Sequence, residues 1–181
     1  MVQPMLILRR HIALVGMPGS GKSTLAKALG HSLGLSNLDL DEWFERRQGC
    51  SISEFWERQG ESAFRVMERL LLLEVLTRPP MILALGGGTP AFFDQAELLR
   101  NHATVVYLKA EVNDLARHME AEFRPMFRSE VDKTLQLRNL LSKRKGFYQR
   151  AHMVLEAYQS EPILIELVSK FCRDNGTLIN S

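Results

Sequence analysis

Short apolar runs alternate along this chain with longer stretches in which apolar residues recur every three to four positions. His11-Ile-Ala-Leu-Val15 has no polar alternation and predicts a buried strand. Leu25, Ala26, Leu29 and Leu33 form one stripe within Lys22 to Leu33, which predicts a helix stopped by Gly34. Leu38 to Leu40 is a short strand candidate, and Glu42 to Gln48 a helix ended by Gly49. Ser51-x-x-Glu54 has the spacing of a capping box, in which each residue satisfies an amide near the helix start. That short helix should end at Gly60, and a long one should follow over Glu61 to Thr77, closed by Pro79-Pro80. Met81-Ile-Leu-Ala-Leu85 is a second buried strand, broken by three glycines. The alternation continues with a helix over Asp94 to Asn101, a strand over Thr104 to Leu108 and a helix over Asn113 to Met119. Glu120 to Asp132 is polar and aperiodic and is expected to be a loop. A basic helix over Lys133 to Arg150, a weak strand at Met153 to Leu155 and a helix from Pro162 to about Arg173 complete the series. Asp174 to Ser181 is expected to fray. Strands alternating with helices of this length predict an α/β fold with a parallel sheet covered on both faces.

Composition limits the function classes. At 181 residues one domain is expected over 1–181. Apolar residues make up 45% and charged residues 24%, as in an ordinary globular domain. With 23 Lys and Arg against 21 Asp and Glu, the formal charge is +2, which disfavours a nucleic-acid-coating protein. No apolar run approaches the ~18 residues of a membrane span. Arg9 and Arg10 follow the first apolar stretch, the reverse of a signal-peptide layout. Cys50 and Cys172 lie far apart and form no CxxC pair, which fits a reducing cytoplasm. The five histidines lack HExxH spacing and read as surface or structural residues.

Gly16-Met-Pro-Gly19-Ser20-Gly21-Lys22-Ser23 fits the pattern GxxxxGK[ST], with a strand before it and the Lys22 to Leu33 helix behind it, and Thr24 is a further candidate for nucleotide binding. The glycines let successive amides turn toward phosphate oxygens, and the helix adds its positive end. Lys22 can reach the β- and γ-phosphates of a nucleoside triphosphate, and the Ser23 hydroxyl can ligate Mg²⁺. The loop does not specify the phosphoryl acceptor. On the acceptor side, Asp39 and Asp41 are two residues apart. Alternate residues of an extended chain share a face, which predicts both carboxylates in one cleft, one toward Mg²⁺ and one toward a substrate hydroxyl. Arg65 has the planar fork that matches a carboxylate, although alone it also fits a solvent-facing helix position. Gly86, Gly87 and Gly88 follow a buried strand and would let a substrate approach the backbone. In such sheets, ligands bind at the carboxyl ends of the strands.

The combination of Gly16 to Ser23, Asp39-x-Asp41, Gly60-Glu-x-x-Phe64-Arg65-x-x-Glu68, Gly86-Gly-Gly88, Arg124-Pro125 and Lys143-Arg144 resembles the shikimate kinase family. The resemblance runs from about His11 to about Val168. It implies a three-layer P-loop fold of the nucleoside-monophosphate-kinase type with a five-stranded parallel sheet and a mobile lid at about 120–132. It implies transfer of the γ-phosphoryl of ATP to the 3-hydroxyl of shikimate with Mg²⁺, in aromatic amino-acid synthesis, by a cytoplasmic monomer. By position, Asp39 would lie on the Mg²⁺ side and Asp41 would face the substrate hydroxyl as base. Arg65 and Arg144 would hold the shikimate carboxylate, and Gly87 would contact the substrate. Arg124 would close with the lid on the phosphates, and Arg117 would pack near the adenine. The chain departs from the family pattern at Leu40, at Met126-Phe127 and around Ala157 to Pro162, which puts the adenine contacts in question. Another small-molecule kinase of this fold, acting on gluconate or a nucleotide, is the enzymatic alternative. A kinase-like regulatory module would require a missing catalytic group, and none is missing. A GTPase is disfavoured because no NKxD motif occurs.

Overall fold

The computed structural model describes residues 6–118 and 133–180. The expected lid, with Arg124, lies outside the described residues. The strands are β1 (Leu6–Leu8), β2 (His11–Val15), β3 (Asn37–Asp39), β4 (Ile82–Ala84), β5 (Ala103–Lys109), β6 (Met153–Glu156) and β7 (Leu178–Asn180). The helices are α1 (Lys22–Leu33), α2 (Leu40–Gln48), α3 (Ile52–Leu76), α4 (Gln95–His102), α5 (Val112–His118), α6 (Lys133–Tyr148) and α7 (Glu161–Asp174), with a 3₁₀ turn at Thr89–Ala91. Five strands form one parallel sheet in the order β3-β4-β2-β5-β6. The expected α/β architecture is therefore present.

Each face of the sheet carries its own core, because residues of a strand point alternately to opposite sides. Ala13 and Val15 of β2 pack with Leu83, Val105 and Tyr107 against α2, α3, α4, α5 and α6. Ile12 and Leu14 pack with Ile82, Ala84, Val106 and Leu108 against α1 and α7. Double coverage explains why β2 shows an unbroken apolar run. Two terminators act as expected. Gly60 adopts φ 80° and ψ 172° and interrupts α3, and Ser51 and Glu54 form both arms of the capping box.

The frayed C-terminus is a misreading. β7 pairs antiparallel with β1, joining Leu8 to Leu178 in register. Leu178 is buried in the core beneath α1 and α7, and the Thr177 hydroxyl meets the Thr104 hydroxyl at 2.5 Å. The partner strand lies at the other end of the chain, so no local signal announces the pairing.

The lower edge of the sheet carries a titratable device. His11 Nδ1 accepts the Met81 amide at 3.2 Å, and His152 Nδ1 accepts the Val105 amide at 3.0 Å. Burial pulls both imidazoles below their ordinary pKa. At His11 the backbone contacts with Leu76 and Met81 oppose the shift and His102 adds to it, and at His152 Arg100 and Arg10 add to it. The unfolded chain, with histidines near 6.5, then takes up protons at a higher pH than the folded one. Stability therefore rises with pH wherever these groups titrate and is lost as pH falls through 6.5. The melting temperature should decline between about pH 6.5 and 5, above the range of most carboxylates. Replacing both rings in His11→Gln/His152→Gln should flatten that decline, since an amide oxygen still accepts the backbone proton. An unchanged slope would place the acid sensitivity elsewhere.

Candidate active site

The Gly16–Gly21 loop joins β2 to α1 at the carboxyl edge of the sheet. β2 sits between β4 and β5, where the chain winds to opposite sides, the usual crevice for ligands in such sheets. Gly16 has φ 150°, and a Cβ there would lie 2.5 Å from the Leu108 carbonyl oxygen. α1 begins without a side-chain cap and without an acidic residue in its first turn. Its first amides thus remain available to an anion. The Ser20 hydroxyl is buried without a hydrogen-bond partner among the described residues. The Lys22 ammonium is buried and donates to the Met17 carbonyl at 2.8 Å. Gly19, Ser20, Gly21, Lys22, Ser23 and Thr24 line one wall of a cleft of about 440 Å³.

Asp39 and Asp41 reach this edge by a route the alternation argument missed. Asp39 ends β3 and is the N-cap of α2, so Asp41 lies in the first helical turn. Asp39 Oδ1 accepts the amides of Asp41 at 2.9 Å and Glu42 at 3.3 Å. Asp39 Oδ2 accepts the Ser23 hydroxyl at 2.5 Å. Helix capping therefore fixes the Asp39 carboxylate beside the phosphate loop. The Ser23 hydroxyl and Asp39 carboxylate are hard oxygen donors of the kind Mg²⁺ prefers. Among the described residues no group of three or more His, Cys, Asp or Glu side chains could hold a metal unaided. An ion here would depend on nucleotide phosphates, as Mg²⁺ commonly does.

Asp41 lines the nucleotide cleft and is the residue that cleft shares with a second cavity. This second cavity is lined by Pro18, Trp56, Phe64, Arg65, Glu68, Gly86, Gly87, Gly88 and Arg144. Arg65 proves to be 5% exposed rather than solvent-facing, and Arg144 is equally buried. The Arg65 guanidinium donates to Glu68 Oε2 at 2.9 Å and sits over the rings of Phe92 at 4.2 Å, Phe64 at 4.9 Å and Trp56 at 5.5 Å. Glu61 Oε1 accepts from its Nε and Nη2 at 3.4 Å, so aromatic faces and two carboxylates hold its fork in a single orientation. Glu68 also accepts the Thr89 hydroxyl at 2.6 Å. Burial raises the Glu68 pKa, and Arg65 and the Thr89 hydrogen bond oppose that rise. Burial, and then nearby Arg65, lower the Arg144 pKa, while Tyr148 and Glu68 oppose the shift. Arg65 is paired with both Glu61 and Glu68, and the buried Arg144 guanidinium lies beside it. An anionic ligand would chiefly compensate the buried Arg144.

The glycines fit against this clamp. Gly88 has an ordinary helical backbone, yet a Cβ there would lie 2.6 to 2.8 Å from the Arg65 guanidinium. Boxed by Phe92, Phe64 and Trp56, that group cannot retreat without losing its aim. Gly88→Ala should therefore fold with a melting temperature close to the parent but raise the acceptor KM by about tenfold or more, the scale of one lost charge-assisted contact. Steady-state kinetics with each substrate varied in turn would check this. An acceptor KM equal to the parent's would show that the fork is not confined.

Arg117 lies apart from both cavities. It is exposed and donates to Asp114 on its own helix at 2.5 Å. Asp114 lies near Tyr158, whose hydroxyl donates to the Gly19 carbonyl at 2.8 Å and which lines the nucleotide cleft. Sequence reading gave no role to Glu68, Trp56, Phe92, Tyr148 or Tyr158. Glu68 carried a signal, since it lies three residues beyond Arg65 on one helix face. The aromatic box carried none, because its members come from separate segments. A wider groove of about 1790 Å³ runs from Ser23 and Asp41 across the outside of α1 to Arg173. It is too broad and open to orient a small molecule.

This geometry has close counterparts. A family model described as shikimate kinase matches residues 18–173. The chain belongs to the shikimate kinase family. A shikimate kinase of Parabacteroides distasonis is 36% identical over 152 residues, covering 82% of this chain and 88% of the relative. A shikimate kinase of Paracidovorax citrulli is 40% identical over 150 residues, covering 80% of each. Among solved structures, a shikimate kinase from Acinetobacter baumannii in complex with shikimate superposes with a TM-score of 0.86 at 32% identity, covering 92% of this chain and 94% of that one. As a member of the shikimate kinase family, the protein is an enzyme with a P-loop kinase fold.

Proposed function

We propose that this protein transfers the γ-phosphoryl of ATP to the 3-hydroxyl of shikimate, yielding shikimate 3-phosphate for aromatic amino-acid synthesis. One observation carries the reading: Asp41 lies between a phosphate-loop cleft and a small pocket bearing two buried guanidiniums. Arg65 and Arg144 bind the acceptor carboxylate, and Gly86, Gly87 and Gly88 let its ring approach the backbone. Anchored there, the acceptor presents a hydroxyl to Asp41, which orients it and accepts its proton. The phosphate-loop amides and Lys22 hold the transferring group in line with that hydroxyl, and positioning with charge neutralisation supplies most of the rate in such transfers. Ser23 and Asp39 would hold Mg²⁺, which when bound neutralises charge on the β- and γ-phosphates. Tyr158 borders the adenine side of the cleft, while Arg117 and Arg124 are assigned to the adenine and the phosphates by their positions in the family motif alone. The enzyme works as a cytoplasmic monomer with small-molecule partners alone. No described helix is long and apolar enough to cross a membrane.

The test is ADP release with shikimate, its methyl ester, gluconate and nucleoside monophosphates as acceptors. Shikimate should support turnover, and the ester, lacking the anion for the two arginines, should be a poor substrate. Equal reaction of ester and acid would remove the clamp. Preference for gluconate or a nucleotide would reassign the acceptor.

A further inference from the structure

Tyr148 plays no part in the reaction described above, yet it touches three pieces of its machinery. The side chain is fully buried at the end of α6, one turn beyond Arg144. Its hydroxyl donates to the Gly87 carbonyl at 2.5 Å. It also neighbours the Arg144 guanidinium, with which it interacts electrostatically, and lies 3.7 Å from the Met17 sulfur in the phosphate loop. The ring stacks on Tyr107, with centroids 5.0 Å apart and planes at 25°.

The hydrogen-bond directions are constrained. A guanidinium only donates, and a phenol has one proton and lone pairs to spare. The phenol proton points to Gly87, which leaves the lone pairs of the oxygen for the neighbouring Arg144 guanidinium. Burial pushes the Tyr148 pKa up to about 12, so the group remains a donor at any working pH. Arg144 and the glycine loop come from distant parts of the sequence, and this hydroxyl ties them together.

We propose that Tyr148 is a positioning residue that fixes Arg144 and the Gly86–Gly88 loop relative to each other, so that the carboxylate clamp and the backbone beneath the acceptor act as one rigid seat. The proposal rests on the reading that Arg144 binds the acceptor carboxylate, and it adds a residue that touches no substrate. Tyr148→Phe keeps the ring and its stacking but removes the link. Gly87 then loses its donor, and Arg144 loses the polar oxygen beside it.

The experiment compares the parent, Tyr148→Phe and Tyr107→Phe by steady-state kinetics, thermal melting and amide hydrogen exchange. In Tyr148→Phe the shikimate KM should rise about tenfold, the scale of one lost polar interaction with a charged group. The ATP KM and kcat should stay within about twofold of the parent, and the amides of 86–88 should exchange faster while those of α1 do not. Tyr107→Phe, which retains the stacked ring and lies outside the link, should match the parent throughout. A parent-like shikimate KM in Tyr148→Phe would overturn the proposal. So would equal increases in both KM values with a matching fall in melting temperature, the signature of general loosening. Exchange at 86–88 needs no substrate and judges the link by itself. A parent that ignores shikimate would remove only the functional reading.

Discussion

Lys22→Met should leave the protein folded and lower kcat by at least about 10²- to 10³-fold, the range for deleting one preorganised charge donor at a reacting centre. Lys22 opens α1 and is 7% exposed, with its ammonium hydrogen-bonded to the Met17 carbonyl. Methionine preserves the length and apolar stem, so packing should survive. The Met17 carbonyl loses one donor, a stability cost of about 1 kcal/mol. Removal of a buried charge offsets part of that cost. The catalytic loss has no such offset. Phosphoryl transfer spreads negative charge over the equatorial oxygens, and the ammonium is the cation this loop directs at them. ATP affinity should also fall, since the same charge meets ground-state phosphates, whereas shikimate binding without nucleotide should not. The check combines kcat at saturating substrates with a melting curve. Turnover near the parent level in a folded variant would remove Lys22 from the chemistry.

Much of the scaffold is legible in the sequence because its signals are local. The phosphate loop is a contiguous pattern whose glycines, lysine and serine act where they stand. The buried strands β2 and β4 declare themselves as unbroken apolar runs, and Gly34, Gly49 and Gly60 interrupt helices by adopting positive φ. Where determinants are distant in the chain, the sequence is silent. The β1–β7 ribbon joins the two ends through strands of three residues each, too short to show a period. The box around Arg65 draws Trp56 and Phe64 from α3 and Phe92 from the turn after the glycines. Tyr148 shares a helix with Arg144, but only the folded chain brings Gly87 to its hydroxyl.

The aspartates show how a correct grouping can rest on the wrong geometry. An extended chain would point residues 39 and 41 the same way. Here β3 ends at Asp39 and α2 starts at Leu40, because the Asp39 side chain captures the amides that open the helix. The two carboxylates share the site through a cap and a first turn, and that difference separates their roles. Both Asp39 oxygens have assigned partners, the α2 amides and the Ser23 hydroxyl. Asp41 lies between the nucleotide and acceptor cavities.

Asp41→Asn should reduce kcat steeply at every Mg²⁺ concentration, whereas Asp39→Asn should mainly raise the Mg²⁺ concentration needed for half-maximal rate. Asparagine caps a helix as well as aspartate does, so Asp39→Asn should retain α2 and melt near the parent. What it loses is one negative charge beside Ser23, which weakens attraction for a divalent cation and leaves the acceptor pocket intact. At high Mg²⁺ its kcat should approach the parent value. Asp41→Asn preserves the shape at the meeting point of the two cavities but offers an amide that cannot accept a hydroxyl proton. Loss of general-base assistance is worth about 10²- to 10⁴-fold. A loose transition state, in which the base mainly orients the hydroxyl, would put the effect at the lower end. The measurement is kcat against Mg²⁺ for both variants at saturating shikimate and ATP. Rescue of Asp41→Asn by excess Mg²⁺, with Asp39→Asn unresponsive, would reverse the roles. Parallel responses would mean that the cap and first turn of α2 do not divide the work between these carboxylates.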